Sequence, residues 1–194
     1  MTYKIEHLYP TPIYRSVVDN YKNINEKIDT FINDVEFCTP SGWGSTLFLT
    51  PLEGNVLKKY GLKKLSNEID RHLSQYCKEL KFSKRRYKID AWFSRFEYGN
   101  YAHIHNHGYA DISGVYYYRS NLNDGNLFFV SPNPYLDGSS MCFSRGRANY
   151  ESTPGSIMMF PGWLKHGVYT NTTDNTRISI SFNIEFDRSG GIVK

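Results

Sequence analysis

The sequence is poor in cysteine and contains no long hydrophobic run. Its three cysteines, Cys38, Cys77 and Cys142, lie far apart and form no Cys-X-X-Cys pair. This spacing argues against a disulfide framework or a thiolate metal site and favours a reducing cytoplasm. The first ten residues lack the apolar segment of a secretion signal, and no stretch reaches the length that spans a bilayer. We therefore expect a soluble, cytoplasmic protein with no membrane partner.

A strong excess of charge of one sign is also missing. The chain has 23 Lys and Arg residues against 19 Asp and Glu residues, a formal net charge of +4. The densest cationic run extends from Lys78 to Lys88, and the solvated connection after a helix explains it better than a nucleic-acid surface, which usually has a larger excess. We predict no dedicated nucleic-acid site.

No internal repeat, low-complexity tract or linker divides the 194 residues, a length that can bury a core of its own. The aromatic content of 16% favours strands and broad pockets over a helical bundle. We expect one domain over 1–194, with an N-terminal arm and helices in 1–86, a β core in 87–186 and a tail in 187–194.

The first part of the chain carries helical periodicity. An apolar stretch over Lys4–Val18 is interrupted by two prolines, which favours an edge strand or an arm that covers a sheet edge. Apolar residues then recur at helical spacing over Tyr21–Val35 and Val56–Glu79, with Gly61 as a candidate break in the second helix.

From residue 87 onward the pattern changes to short β segments separated by turn residues. The predicted strands are Tyr87–Tyr98, Ala102–His107, Ile112–Arg119, Asn126–Val130, Met141–Ser144, Ser156–Phe160, Lys165–Thr170 and Arg177–Phe186. Eight strands indicate a two-sheet barrel or sandwich. We therefore predict a mainly β (α+β) fold, a double-stranded β-helix or jelly roll, with an N-terminal layer of about two helices.

Half of the six histidines lie within five residues, at His103, His105 and His107. Alternate residues of a strand share one face, where neutral imidazoles can hold a transition metal. Three ligands along one straight strand would spread over ~13 Å, too far for one ion, so the third ligand must come from elsewhere. His166 is the candidate, and the neighbouring pair is either His103 with His105 or His105 with His107.

The region from about residue 88 to 186 resembles the 2-oxoglutarate and Fe(II)-dependent oxygenases, in particular the phage and bacterial branch with a His-X-His motif followed by a Ser-Gly-Val-Tyr-Tyr strand. The matching residues are Gly99, His105, His107, Ser113, Gly114, Val115, Tyr116, Tyr117, Gly125, Pro154, Gly155, Phe160, Pro161, Trp163, His166, Arg177, Ser179, Phe182 and Asn183. The ordered set is more specific than any of its pieces.

The resemblance implies that His105, His107 and His166 bind Fe(II). The wider superfamily has Asp or Glu where His107 stands, and Asp111, at the start of the next strand, could supply a carboxylate instead. Fe(II) and the co-substrate 2-oxoglutarate are thus the cofactors that the resemblance implies.

Arg177 follows His166 by eleven residues, which resembles the superfamily's spacing for the residue that pairs with the distal carboxylate of 2-oxoglutarate. A guanidinium matches a carboxylate in shape, and strand alternation places Ser179 on the same face. Tyr116 or Tyr118 could add a hydrogen bond. The structural alternative for Arg177 is an ion pair with Asp174 or Glu185.

The resemblance implies an Fe(II)- and 2-oxoglutarate-dependent dioxygenase that hydroxylates an unidentified substrate, either a small molecule or a peptide. Tyrosines near the segment from Val130 to Ser152 could form an aromatic-rimmed lid over it. Two rivals remain open, a non-catalytic jelly-roll binding or virion-associated protein and a cupin-like three-histidine enzyme without 2-oxoglutarate. A homodimer is also left open.

Overall fold

The computed structural model describes residues 4, 9–40, 46–52, 54–133 and 146–189, and in these ranges ten strands form two antiparallel sheets. The strands are β1 (Tyr14–Val17), β2 (Phe48–Leu49), β3 (Tyr87–Phe96), β4 (Ala102–His105), β5 (Ile112–Arg119), β6 (Leu127–Val130), β7 (Arg147–Tyr150), β8 (Ser156–Pro161), β9 (His166–Val168) and β10 (Arg177–Phe186). The larger sheet has the order β1-β8-β5-β10-β3-β2, and the smaller sheet has the order β4-β9-β6-β7.

The helices cover one face of the larger sheet. They are α1 (Tyr21–Asp29), a short 3-10 helix (Ile32–Asp34), α2 (Val56–Lys59) and α3 (Lys63–Glu79). Their apolar faces form one core cluster with residues of β3, β5, β8 and β10. Gly61, with φ +62°, separates α2 from α3, so the break expected at this glycine is present.

Strand β10 shows how the larger sheet divides its residues between two cores. Ile178, Ile180 and Ile184 are buried in the cluster under the helices. The alternating residues Arg177, Ser179, Ser181 and Asn183 line a cavity between the two sheets. Because successive side chains of a strand point to opposite faces, a strand covered on both sides can carry an apolar row toward the helices and a polar row into the cavity.

The N-terminal part of the chain contributes to the β architecture as well as to the helical layer. β1 pairs with β8 at one edge of the larger sheet, and β2 pairs with β3 at the other edge. β1 thus takes the edge position that the two prolines favour. In the described part of the chain all helices precede residue 86 and most strands follow it, but both edge strands of the larger sheet precede it.

Some predictions concern residues outside the described ranges, namely the strand Met141–Ser144 and most of the Val130–Ser152 lid. β7 lies where the sequence analysis placed no strand. In the described part of the chain, no helix is both long enough and apolar enough to cross a membrane.

Candidate metal centre

Three histidine rings converge in the cavity between the sheets. β4 and β9 are antiparallel neighbours, and His105 lies directly opposite His166, with ring centroids 4.4 Å apart. His107 follows β4 in a turn, where its backbone N–H donates to the Gly162 carbonyl at 2.8 Å. One ring nitrogen from each histidine lies within 4.8 Å of the others, a separation suited to binding one metal ion.

A β-bulge in β4 decides which histidines face the cavity. Ala102 pairs with Val168 and His105 pairs with His166, so three steps of β4 oppose two steps of β9. Ala102 and His105 both line the cavity, whereas His103 and Ile104 are exposed. Regular alternation would have placed His103 and His105 on one face. The bulge instead removes His103 from the cluster, and the alternative pair of His103 with His105 is wrong.

Backbone carbonyls orient two of the three rings. His105 Nδ1 lies 2.7 Å from the carbonyl oxygen of His103, and His166 Nδ1 lies 2.8 Å from that of Leu164. A carbonyl only accepts hydrogen bonds, so each Nδ1 carries the proton and donates it. The lone pair of Nε2 is then free for a metal ion, which is how outer contacts commonly orient histidine ligands.

The surroundings keep the three imidazoles neutral at physiological pH. Burial lowers the pKa of His166 to about 3, with a further contribution from His105. Burial, and then the neighbouring His105, lower the pKa of His107 to about 4. The pKa of His105 is also lowered, again chiefly by burial. Neutral imidazole is the form that binds metals, so these rings suit a cation without prior loss of a proton.

The carboxylate of Asp111 has other partners. Its Oδ2 accepts a 2.8 Å hydrogen bond from the backbone N–H of Phe186, and its Oδ1 lies 3.2 Å from Arg188. Asp111 is absent from the cluster of metal-binding groups found among the described residues. Asp111, the predicted substitute ligand, therefore stabilises the end of β10 and does not join the histidines.

Arg177 lies in the same cavity as the histidines, and its side chain is almost completely buried, with 1% of its surface exposed. Its guanidinium lies over the rings of Phe96 and Tyr117, and Nη1 donates to the Gly125 carbonyl at 2.7 Å. In the described part of the chain Arg177 forms no ion pair, so the predicted alternative of pairing with Asp174 or Glu185 is not seen.

Two buried polar atoms of the Arg177 and Tyr117 pair have no partner at normal hydrogen-bond geometry among the described residues. They are Nε of Arg177 itself and the hydroxyl of Tyr117. Burial raises the pKa of Tyr117, although the adjacent guanidinium of Arg177 opposes this rise. A buried donor without a partner is costly, and a bound anion such as a carboxylate would satisfy both groups. Ser179, also buried, lines the cavity beside them.

Tyr116 and Tyr118 do not point into this cavity, and their prediction as co-substrate contacts is wrong. The Tyr116 hydroxyl donates to Asn25 Oδ1 at 2.6 Å, and the Tyr118 hydroxyl donates to Asp29 Oδ1, both on α1. Strand alternation turns Tyr117 the opposite way, and it pairs in register with Ser179. The run of three tyrosines contained the relevant residue, but only the register between β5 and β10 identifies it.

An outer cleft of about 440 Å³ opens beside the histidines. Trp92 and Tyr109 flank the His107 ring, with centroid separations of 6.0 and 6.4 Å. The other lining residues, apart from His105, are Pro40, Leu49, Leu52, Asp90 and Asn106. Trp92 and Asp90 lie more than ten residues before the histidine motif in the chain, so no sequence pattern connects them with the site.

The structure therefore defines a jelly-roll protein with a cavity that is lined by three histidines and a buried arginine. Residues 90–183 match the model of the family described as "Putative 2OG-Fe(II) oxygenase". The matched segment contains the three histidines and Arg177. The resemblance drawn from the sequence is confirmed at that level.

Solved structures with the same fold include oxygenases from several organisms. A prolyl-4-hydroxylase from Pseudomonas putida superposes with a TM-score of 0.65 at 13% identity, over 93% of this chain and 95% of that one. HygX from Streptomyces hygroscopicus, with nickel and 2-oxoglutarate bound, gives a TM-score of 0.68 at 10% identity, over 92% and 84%.

A third structure is a prolyl hydroxylase from Trichoplax adhaerens in complex with a peptide fragment of hypoxia inducible factor. It gives a TM-score of 0.63 at 12% identity, over 90% of this chain and 83% of that one. These similarities confirm the predicted jelly-roll fold class. A comparison with curated protein sequences gives no match.

Proposed function

We propose that the protein is an Fe(II)- and 2-oxoglutarate-dependent dioxygenase that hydroxylates a small-molecule or peptide substrate. One observation carries this proposal. The three-histidine cluster and the buried Arg177 line the same cavity. A metal site alone would suit many proteins, whereas a metal site paired with a buried, partly unsatisfied cation suits a ligand with a metal-binding end and a carboxylate end.

In this proposal His105, His107 and His166 hold the metal through Nε2. Their spacing, their neutral state and the backbone contacts at two of the Nδ1 atoms all fit a divalent cation. Bound Fe(II) would supply the oxidation of the substrate by O2, coupled to decarboxylation of 2-oxoglutarate to succinate and CO2. The protein residues bind and orient the co-substrate and the substrate, and they exclude water.

Arg177, Ser179 and Tyr117 bind the distal carboxylate of 2-oxoglutarate. Arg177 is fixed by Gly125 and by two aromatic rings, so its guanidinium is oriented before the ligand arrives. The Tyr117 hydroxyl and Arg177 Nε would each gain a hydrogen-bond partner. Tyr117 thus replaces Tyr116 and Tyr118 in the proposed set.

The substrate is proposed to enter through the outer cleft, where Trp92 and Tyr109 stand beside His107. Aromatic and aliphatic walls next to a metal limit the access of water to the reacting group. The cytoplasmic location, the absence of a dedicated nucleic-acid site, the homodimer and the phage or bacterial branch stay predictions.

Anaerobic titration with Fe(II) and 2-oxoglutarate tests the proposal. We expect a visible metal-to-ligand charge-transfer band that appears only when both are present. The cupin-like and the non-catalytic alternatives both predict no such band and no 2-oxoglutarate binding. Either result with correctly folded, iron-loaded protein would exclude the proposed function. If the band appears, release of succinate after the admission of air would show turnover.

A further inference from the structure

The ring of His107 is held differently from those of the other two histidines. The Nδ1 atoms of His105 and His166 face backbone carbonyl oxygens, which can only accept a hydrogen bond. His107 Nδ1 instead lies 3.2 Å from the side-chain amide of Asn183. Among the described residues this amide is the group that lies within hydrogen-bond distance of the His107 ring.

Asn183 is buried, with 2% of its surface exposed, and the sheet fixes its position. It lies on β10 between β3 and β5, in register with Asp90 and Ser113. Its Oδ1 accepts a 2.8 Å hydrogen bond from the Ser113 hydroxyl, and its Nδ2 donates to the Tyr109 hydroxyl at 2.6 Å. The amide thus links two hydroxyls and one imidazole, with little room to move away.

The orientation of this amide decides the tautomer of His107. With Nδ2 toward the ring, Nδ1 must accept, so the ring proton lies on Nε2, the atom that the metal needs. With the amide turned by 180°, Oδ1 faces Nδ1, which then carries the proton and frees Nε2. Amide oxygen and nitrogen are close in size and shape, and hydroxyls can donate or accept. Ser113 and Tyr109 can therefore satisfy either orientation.

We propose that Asn183 is the positioning residue for His107 and that it holds this ring as a metal ligand by accepting a hydrogen bond from Nδ1–H. The inference rests on the metal site of the proposed function, but not on 2-oxoglutarate binding or turnover. A hydrogen bond of this kind fixes the ring orientation and raises the basicity of the ligating nitrogen, and its loss commonly costs 10- to 100-fold in metal affinity.

Two variants of similar size to asparagine distinguish the hydrogen bonds of the Asn183 side chain from the space that it fills. Asn183→Leu removes every hydrogen bond of the amide, and we expect it to weaken Co(II) binding on the order of 10- to 100-fold. Asn183→Asp can only accept in its ionised form. It suits donation from Nδ1–H of His107 and from both hydroxyls, so we expect Co(II) binding at least as tight as in the wild type.

The measurement is isothermal titration calorimetry with Co(II) without 2-oxoglutarate, together with the visible d–d spectrum and a thermal melt of each variant. Asn149→Leu, on the exposed strand β7, is the matched control and should bind Co(II) like the wild type. Wild-type affinity in a folded Asn183→Leu protein would overturn the proposal. If that variant does not fold, weaker binding by Asn183→Asp than by the wild type would overturn it.

Nitrogen-15 NMR of the histidines in the Zn(II)-loaded protein gives a second readout. We expect His107 to carry its proton on Nδ1 in the wild type and in Asn183→Asp. A proton on Nε2 would contradict the inference. These measurements are independent of the charge-transfer band, because a protein that binds Co(II) through His107 but fails to bind 2-oxoglutarate would refute the proposed function and leave the role of Asn183 intact.

Discussion

Arg177 Nη1 donates a 2.7 Å hydrogen bond to the carbonyl oxygen of Gly125 while Nε of the same guanidinium remains buried without a partner among the described residues. One side of the cation is therefore anchored to the protein. The stacked rings of Phe96 and Tyr117 restrict it further. A cation fixed in this way has lost its side-chain freedom before a ligand binds, which favours affinity for a carboxylate.

Replacing Arg177 should separate co-substrate binding from metal binding. We expect Arg177→Met to bind Co(II) normally but to lose roughly 2–5 kcal/mol of 2-oxoglutarate binding free energy, because a charge-assisted buried pair is removed. Calorimetric titration of the Co(II)-loaded protein with 2-oxoglutarate measures this loss. Arg147→Met, which removes an exposed guanidinium over Phe128, is the control. Equal 2-oxoglutarate affinity in the two variants would remove Arg177 from the site.

Two neighbouring tyrosines of β5, Tyr116 and Tyr117, should differ in their effects on 2-oxoglutarate binding and on stability. Tyr117→Phe should weaken 2-oxoglutarate binding by about 1 kcal/mol, since it removes one hydroxyl from the cavity. Tyr116→Phe should leave that affinity unchanged and lower the free energy of unfolding by a similar amount, because its hydrogen bond to Asn25 is lost. Titration and urea denaturation of both variants test the pair. The opposite assignment of effects would restore Tyr116 to the co-substrate site.

The β-bulge predicts which histidine of the His103–His107 run is dispensable for metal binding. His166→Ala should abolish tight Fe(II) retention, and His103→Ala should retain stoichiometric Fe(II), since His103 lies outside the cluster. Iron content after anaerobic loading and gel filtration gives the answer. Loss of iron in a folded His103→Ala protein would show that the bulge does not set the ligands.

Gly125 combines two constraints that an alanine cannot meet. Its φ is +95°, and a Cβ would lie 2.3 Å from the Tyr169 carbonyl oxygen. We expect Gly125→Ala to lower the free energy of unfolding by about 1–3 kcal/mol and to weaken 2-oxoglutarate binding, because the Gly125 carbonyl holds Arg177. Gly99 has φ +81° with open space around its Cβ position, so Gly99→Ala measures the backbone cost alone. If Gly125→Ala and Gly99→Ala lower the free energy of unfolding equally, the added Cβ at residue 125 does not clash with the Tyr169 carbonyl oxygen.

The jelly roll could be predicted from local patterns, and the three histidines could be predicted from the resemblance to a family. Period-2 alternation marked most strands, and the His-X-His motif with His166 matched a family pattern. Prediction from the sequence failed where the outcome depends on pairing between distant strands. The bulge that excludes His103 exists only in the pairing of β4 with β9. Likewise, the choice of Tyr117 over its neighbours depends on which face of β5 meets the helices.

Asn183 shows a related limit. The residue belongs to the matched family pattern, yet its contact with His107 crosses 76 positions of the chain. No local signal distinguishes an asparagine that positions a ligand from one that ends a strand. The interior of a jelly roll is assembled from single residues on several strands. The sequence of a strand therefore shows which residues share a face, but it does not show which strand lies beside it.

His72 gives a prediction on acid stability that is independent of the metal site. It is buried on α3, with Nδ1 2.7 Å from the Tyr14 hydroxyl and Nε2 3.2 Å from the Arg71 guanidinium. Burial, and then the nearby Arg71, lower its pKa, while Glu68 and Asp19 partly oppose this shift. Since the folded pKa lies below the ordinary value of 6.5, the unfolded chain binds the proton more readily between these two values.

The contribution of neutral His72 to stability is therefore fully present above about pH 6.5 and is lost as the pH falls toward the folded pKa, at up to about 1.4 kcal/mol per pH unit. We expect metal-free wild-type protein to lose more unfolding free energy between pH 7.5 and 5 than His72→Gln does. Urea titrations across this range, with EDTA present, measure the difference. His103→Gln changes an exposed ring and should keep the wild-type dependence. If His72→Gln shows the same pH dependence as the wild type, then His72 protonation does not destabilise the docking of β1 on α3.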